Sequence, residues 1–406
     1  MSTPHRRFLG RPMPRVIVLG TAGTVSVLGL AGLGTVGGGP ATVRQAARTA
    51  VEPPAQRISQ PGWRVVDVTS ATGYPEDRLL DVATLGAGEA WAVGSTGGDA
   101  GAAPLIRRWD GNSWRTVTAP PLPGGARSGV LRKVVAHSPT DVWIFGDRRV
   151  PGLIGPSGFA LHWNGASWRT TDFGGGTVTD AVATGPGEVW VVGERSTRTR
   201  ALLPFARHFN GRSWKKAAVP GGAWALGARS ARDVWAVGQS SGRNPHATVA
   251  HWDGRKWRSM PRPRPVLRRG VQYRISDLHV RGARNVWAAL TLTDTARGGV
   301  PAGSLLTHWN GRTWTQAKLG LRKDTVFDLT PDGRGGLWLL SFVSPARTDL
   351  LHYAKGKITR QRTPAKPGTT GDLRSVAAIP GTGSLWAAGD LVRRNHTVAA
   401  IYKYGS

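Results

Sequence analysis

Short apolar runs, each opened by a polar residue and closed by a small one, recur along the chain after residue 61. The clearest reads acid–apolar–Trp–apolar–apolar–Gly: EAWAVG at Trp91, DVWIFG at Trp143, EVWVVG at Trp190 and DVWAVG at Trp235. Looser copies are NVWAAL at Trp287, GLWLLS at Trp338 and SLWAAG at Trp386. Successive tryptophans lie 52, 47, 45, 52, 51 and 48 residues apart. That interval is too short for separate domains and suits four-stranded blades. A second run follows each first one and ends in an aromatic before a turn, as at Trp109, Trp163, Phe209, Trp252 and Trp309, with weaker copies at Tyr353 and Tyr402. In the first five units Asp-Gly or Asn-Gly comes next, and a third run starts five residues after the aromatic, at Trp114, Trp168, Trp214, Trp257 and Trp314. Both turn residues tolerate positive φ, so these pairs predict tight hairpins.

Each unit thus predicts four strands, a to d. Strand a resembles LLDVATL, b carries the first Trp, c ends in the aromatic and d opens with the last Trp. Seven units give an all-β fold, a seven-bladed β-propeller of four-stranded antiparallel blades. The seventh unit stops after Tyr402 without a strand d. Its missing piece is at the other end, where Trp63-Arg64-Val65-Val66-Asp67-Val68 reads like the runs at Trp114 and Trp168. The N-terminal strand, about 61–68, is therefore expected beside residues 398–404, closing the ring and removing two exposed sheet edges. Repeat positions account for sixteen of the 18 tryptophans, which reads them as packing between blades.

The Gly-closed strand b followed by W-D/N-G-x-x-W resembles kelch-type propellers, with one Gly where kelch units usually carry two. Over residues 61–406 the chain also resembles secreted actinobacterial propeller proteins of unassigned role. The resemblance implies the fold and leaves the function open.

Composition adds a compartment. Residues 1–15 hold Arg6, Arg7, Arg11 and Arg15 and no acid, and residues 16–39 are apolar and uncharged. This predicts residues 1–50 as an export signal or, uncleaved, an N-terminal membrane anchor through 16–39. Arg6-Arg7-Phe8-Leu9 resembles the twin-arginine export motif, and an ordinary secretory signal remains the alternative. Residues 51–60 read as a linker. A secreted or extracytoplasmic protein is expected. There is no cysteine, so disulfides, thiol nucleophiles and Cys-ligated metals are excluded. The formal charge is +30, with 44 Arg against 10 Lys. Part of that excess matches the composition of a high-GC genome, yet a positive surface attracts anions whatever its origin.

Strand spacing locates a working face. The a–b and c–d connections are short and nearly constant, and they share one face. The b–c and d–a connections vary in length and share the other, where binding is usually built. Charge in these variable loops is one-sided. The d–a segments bring Arg127, Arg132, Arg262, Arg264, Arg268, Arg269, Arg274, Arg322 and Lys323. The b–c segments bring Arg148, Arg149, Arg195, Arg198, Arg200, Arg243, Arg297, Arg393 and Arg394. Arginine forks match phosphate and carboxylate geometry. Arg132, Arg148, Arg149, Arg198, Arg268, Arg269 and Arg274 are the candidate ligand-binding residues from this set.

Asp81, Asp180, Asp277 and Asp328 share one place at the start of strand a and should ring the channel mouth, with Lys133 in the same position. The ring offers a cation or a cationic ligand a site; repetition at equivalent places favours the other reading, in which each carboxylate accepts backbone or Trp N–H bonds within or between blades. Asp277 and Asp328 are included among the candidates. Five histidines precede the strand c aromatic: His162, His208, His251, His308 and His352. Equivalent positions in different blades are too far apart to share one metal. Gly238-Gln239-Ser240-Ser241-Gly242 spells a serine-elbow motif, but it follows a strand b with no helical pattern after it, so it reads as a loop. No catalytic residue, metal or cofactor is assigned.

The expected function is an extracytoplasmic binding or scaffold propeller that recognises an anionic cell-wall polymer, a polysaccharide or a protein partner through the b–c/d–a face. The alternative is a carbohydrate-active lyase or hydrolase with its centre at the channel mouth. Nucleic-acid binding is least favoured, because export and structural tryptophans argue against it although charge permits it. A monomer is expected.

Overall fold

The computed structural model describes residues 62–69, 76–97, 102–197, 202–240, 245–317, 320–321, 324–344, 347–393 and 396–405. The export segment, the 51–60 linker, Arg198, Arg200, Arg243, Arg322, Lys323, Arg394 and the Ser241-Gly242 end of the elbow motif lie outside the described residues. The chain divides into two units, Met1–Arg57 and Ile58–Ser406, and every described residue belongs to the second.

Each repeat folds as expected. Blade 1 runs from strand a (Arg78–Gly86) through b (Glu89–Thr96) and c (Ala103–Trp109) to d (Trp114–Val117). Six such four-stranded sheets use consecutive strands, and the seventh has the order Trp63–Thr69, His396–Tyr404, Leu385–Arg393, Thr370–Ala378. The N-terminal strand thus completes blade 7. Trp63 pairs with Tyr404 and Thr69 with Ala399, antiparallel, so His396–Tyr404 is not left as an open edge.

Seven apolar clusters lie between neighbouring blades. One joins blade 4 to blade 5 around Trp235, Val249, Ile275 and Leu290, and another joins blade 7 to blade 1 around Leu79, Val82, Trp386 and Ile401. Trp91, Trp190, Trp235 and Trp386 are at most 1 % exposed. Edge-on indole pairs span the interfaces: Trp143 meets Trp214 of the next blade at 5.4 Å between centroids, and Trp386 meets Trp114 at 5.2 Å across the closure. Offset and edge-to-face rings gain beyond their buried area, so the tryptophans are the mortar of the ring.

The Gly closing strand b has a packing cause. A Cβ on Gly94, Gly146, Gly193 or Gly389 would run into the carbonyl oxygen of Arg78, Val130, Thr177 or Asp372 on strand a of the same blade. Strand a bulges one position before the ring residue, between Leu79 and Asp81 in blade 1 and at the equivalent place in blades 2, 3, 5, 6 and 7. The bulge draws the two backbones together and re-aims the residue that follows it.

Candidate functional site

Pairing with strand b defines one position per blade around the channel: Asp81, Lys133, Asp180, Ala225, Asp277, Asp328 and Ser375. These side chains lie inside strand a rather than at its start. Asp81 is the fourth residue of Arg78–Gly86 and Asp277 the seventh of the longer Val271–Gly282. Each carboxylate reaches one blade on. Asp81 accepts the Val134 N–H at 2.8 Å, Asp180 that of Leu226 at 2.7 Å, Asp277 that of Leu329 at 2.7 Å and Asp328 that of Val376 at 2.9 Å. The other oxygens of Asp180 and Asp277 accept the N–H of Ala181 and Leu278. The ring is therefore a set of blade-to-blade ties.

Its charge is only partly balanced. The Lys133 ammonium lies 3.5 Å from Asp81 and 3.3 Å from Asp180. Burial works against that ammonium, but Asp81, Asp180, Asp328 and Asp277 outweigh it and raise its pKa well above the ordinary lysine value. On the far side, burial and then the Asp328 and Asp180 charges push Asp277 well above the usual carboxylate range. Burial, opposed by Lys133 and the Val376 N–H, raises Asp328 to about 6. A cavity of about 310 Å³ adjoins the ring. It is walled by Ala83, Val135, Ala136 and Ala183, which follow the ring residues along strand a. It therefore runs toward the a–b turns, away from the arginine-bearing loops. Among the described residues no group of three or more His, Cys, Asp or Glu side chains is arranged to hold a metal ion.

The five histidines pair with an acid in four blades and with Asn285 in blade 5. In blades 2 and 4 the strand b acid collects two donors. Asp141 accepts Trp143 Nε1–H at 2.9 Å and lies 2.9 Å from His162 Nε2, whose ring stacks on Trp143 at 3.9 Å. Asp233 does the same for Trp235 and His251. In blade 1 an arginine replaces the histidine: Arg108 donates to both Glu89 oxygens and lies over the Trp91 ring. Blade 6 has Gly336 where the acid belongs, and Asp332 from the a–b turn fills in, 2.9 Å from His352 Nε2. Burial would raise Asp141 and Asp233, but the His and Trp partners, with the Gly187 N–H for Asp141, hold both below the ordinary aspartate value.

The candidate arginines differ in their surroundings. Arg132 and Arg274 lie within strand a (Val130–Ser138 and Val271–Gly282), not in d–a loops, because the bulged or lengthened strand carries them past the loop. Arg148 ends strand b of blade 2. Three are spoken for: Arg132 pairs with buried Asp147, Arg148 with Asp172 at 2.8 Å and Arg268 with buried Asp294 at 2.6 Å. Arg149, Arg264 and Arg269 are exposed, and no ion pair joins them to a carboxylate among the described residues. Basic residues are not confined to this face. Arg212, Arg232, Arg255, Arg284 and Arg312 are exposed at the a–b and c–d turns opposite.

Sequence reasoning passed over two features. One is the set of acids that neutralise arginines, Asp147, Asp172 and Asp294, which lie at or near the ends of strands Asp141–Arg148, Trp168–Gly175 and Asn285–Asp294. The other is apolar. Six exposed large hydrophobic side chains are described: Val66 lies in the strand Trp63–Thr69, and Leu153, Ile154, Leu203, Val266 and Val300 lie in or beside b–c and d–a loops. Apolar residues inside Pro/Gly-rich loops, as in Pro151-Gly152-Leu153-Ile154-Gly155, were the available signal.

No protein-family model matches the chain, and no curated protein matches it. Solved structures do. A polysaccharide lyase of family PL25, an ulvan lyase bound to -[GlcA(1-4)Rha3S]-, is 13 % identical with a TM-score of 0.48, covering 82 % of this chain and 95 % of that one. The Trypanosoma rangeli sialidase in complex with sialic acid is 8 % identical with a TM-score of 0.48, covering 85 % of this chain and 59 % of that one. A mutant Aleuria aurantia lectin in complex with Fucalpha1-6GlcNAc is 12 % identical with a TM-score of 0.43, covering 71 % and 96 %. Identities this low bear on fold and not on activity.

Proposed function

We propose that this chain is an extracytoplasmic binding propeller of kelch type that recognises an anionic envelope component through the b–c/d–a loop face of blades 2 to 5. Residues 1–50 direct export or stay as a membrane anchor, 51–60 link them to the propeller, and the propeller acts as a monomer. The observation that supports the reading is the state of the arginines. Arg149, Arg264 and Arg269 stand exposed on that face without a carboxylate partner among the described residues, whereas the channel carboxylates are taken up by ties between blades. Unpaired guanidinium forks retain their capacity for phosphate, sulfate or carboxylate groups. The test is retention of residues 58–406 on isolated bacterial cell walls across a salt gradient. Retention should fall with salt and be lost in the triple variant Arg149→Glu, Arg264→Glu, Arg269→Glu. Retention indifferent to both overturns the reading.

One observation favours a second reading, a carbohydrate-active lyase or hydrolase. Asp328, raised to about 6, borders an open cavity, and a carboxyl group titrating near neutrality suits general acid–base work. Turnover of any member of a polysaccharide panel, lost in Asp328→Asn, would establish it; a panel without turnover removes it.

A further inference from the structure

Val266 is the most exposed large hydrophobic residue described, at 100 %, and it sits at the tip of the connection between blades 4 and 5. The connection reads Pro261-Arg262-Pro263-Arg264-Pro265-Val266-Leu267-Arg268-Arg269, without an acid. Prolines fix φ and hold such a segment extended. The other exposed apolar side chains of the loop face continue from it: Val300 at 47 % in blade 5, Leu203 at 37 % in blade 3, and Leu153 and Ile154 at 41 % and 47 % in blade 2. The loops carrying them meet in two groups, one at blades 4 and 5 and one at blades 2 and 3. Thr295 donates to the Gly270 carbonyl at 2.8 Å, tying the 4–5 connection to the b–c loop of blade 5. A Cβ on Gly222 would lie 3.1 Å from Pro204, and one on Gly155 3.2 Å from Ser196. All of them lie on the b–c/d–a face of blades 2 to 5, where Arg149, Arg195, Arg264, Arg269 and Arg297 are also exposed.

A polar polymer has no use for fully exposed Val266, and a polyanion alone would be met by charge alone. Apolar tips set among arginines match a surface that offers acyl chains beneath anionic headgroups. Isolated exposed apolar residues are ordinary; five on one loop face, set among exposed arginines, are what calls for a partner. We infer that the loop face of blades 2 to 5 docks on an anionic lipid surface, with Val266 and the Leu153–Ile154 tip entering the headgroup layer and the exposed arginines pairing with lipid phosphates. The inference deepens the anionic-envelope reading above and rests on it.

The test uses residues 58–406, which contain every described strand and all seven core clusters and lack the apolar 16–39 segment that would insert on its own account. The fragment is sedimented with vesicles of phosphatidylcholine, with vesicles of phosphatidylcholine and phosphatidylglycerol in equal parts, and in parallel bound to immobilised dextran sulfate. Partitioning is expected only onto the anionic vesicles and should fall with added salt. Val266→Asp together with Leu153→Ser and Ile154→Ser should weaken it by roughly tenfold while dextran sulfate binding stays as before. These loop-tip changes touch no core cluster, and an unchanged melting temperature confirms that the fragment is folded. Binding to dextran sulfate without binding to vesicles overturns the lipid inference and leaves the polyanion reading standing. Binding to neither overturns both. Vesicle binding that survives the apolar substitutions overturns the inference, because headgroup charge alone then accounts for it.

Discussion

Ser375 Oγ donates to Asp81 Oδ1 at 2.7 Å, joining blade 7 to blade 1 across 294 positions of sequence. The second oxygen of Asp81 takes the Val134 N–H of blade 2, and Lys133 lies 3.5 Å away. One carboxylate thus ties three consecutive blades at the seam where the ring closes. Asp81→Ala should leave the Val134 N–H and the Ser375 hydroxyl without their acceptor and Lys133 with Asp180 as its near carboxylate, a loss of roughly 3 kcal/mol. Asp81→Asn keeps an oxygen for Val134 and should cost less than half as much. Urea unfolding of the two variants checks the ranking; equal stabilities would mean the seam is held by the apolar cluster alone.

Closure itself depends on the strand Trp63–Thr69. Trp63 is 5 % exposed and meets Tyr404 edge-on at 5.5 Å. Trp63→Ala should cost about 3–5 kcal/mol, the usual range for a buried Trp truncated to Ala. A chain beginning at Glu76 leaves His396–Tyr404 as an open sheet edge and should aggregate at the edge so exposed. Adding a peptide of residues 58–70 should return it to a monomer in size-exclusion chromatography.

Gly336 shows what an altered repeat requires. A Cβ there would meet Asp332 Oδ2 and lie 2.5 Å from the Tyr353 carbonyl. Asp332 must occupy that space to reach His352 and to accept the N–H groups of Arg334 and Gly336. Gly336→Ala should therefore destabilise by roughly 1–3 kcal/mol through overpacking. Gly356, whose added Cβ would meet nothing within 4 Å but whose φ is +77°, serves as the contrast: there the cost of Ala is backbone strain alone. A thermal-shift series over both positions separates the two causes.

Stability should depend on pH in two opposite senses. Asp328 and Asp390 are raised in the folded protein to about 6 and about 7, by burial in each case. Between the unfolded aspartate value and these, the native state holds protons that the unfolded chain has released. Stability should therefore rise as pH falls from 8 toward 5. Asp141, Asp233 and Asp332 are lowered, burial being outweighed by their hydrogen-bond partners. Their contribution is complete above the unfolded value and is lost as pH drops through the folded one, so stability should fall again below about pH 4. Asp390→Asn should flatten the alkaline limb and leave the acid limb intact. A wild-type unfolding free energy that is level from pH 5 to pH 8 would contradict the first half.

The strands, the count of seven and the closure were legible in sequence because each interface reuses the same tryptophans, so one packing solution is written seven times. The ring Asp81, Asp180, Asp277 and Asp328 was legible for the same reason. The interblade direction of its hydrogen bonds, and the run of the adjoining cavity toward the a–b turns, were not. Strand limits slipped where Arg132 sits in a bulge and where blade 5 lengthens strand a to twelve residues around Arg274. Which arginines remain free was illegible. Asp147, Asp172 and Asp294 lie 15, 24 and 26 positions from the arginines they engage, so no single spacing marks the pairs.

That last point decides how the binding face should be probed. Arg268 and Arg269 are neighbours of one type, and charge reversal at both is the obvious experiment on the sequence. Their surroundings differ. Arg268 Nη2 donates to Asp294 Oδ2 at 2.6 Å, and Asp294, with a side chain 1 % exposed, ends strand b of blade 5 and anchors the turn in which Gly299 N–H meets its carbonyl. A glutamate at 268 would face that buried carboxylate with like charge, leaving only Arg297, 3.6 Å away, to hold it. Arg268→Glu should lower the melting temperature and loosen the loops that carry Val266 and Val300, so any loss of binding would be uninterpretable. Arg269→Glu disturbs no described ion pair and should leave the melting temperature unchanged while reducing retention on anionic surfaces and the steepness of its salt dependence. If Arg269→Glu unfolds the protein as Arg268→Glu does, the distinction between a fastened and a free arginine fails, and with it the assignment of this face to ligand.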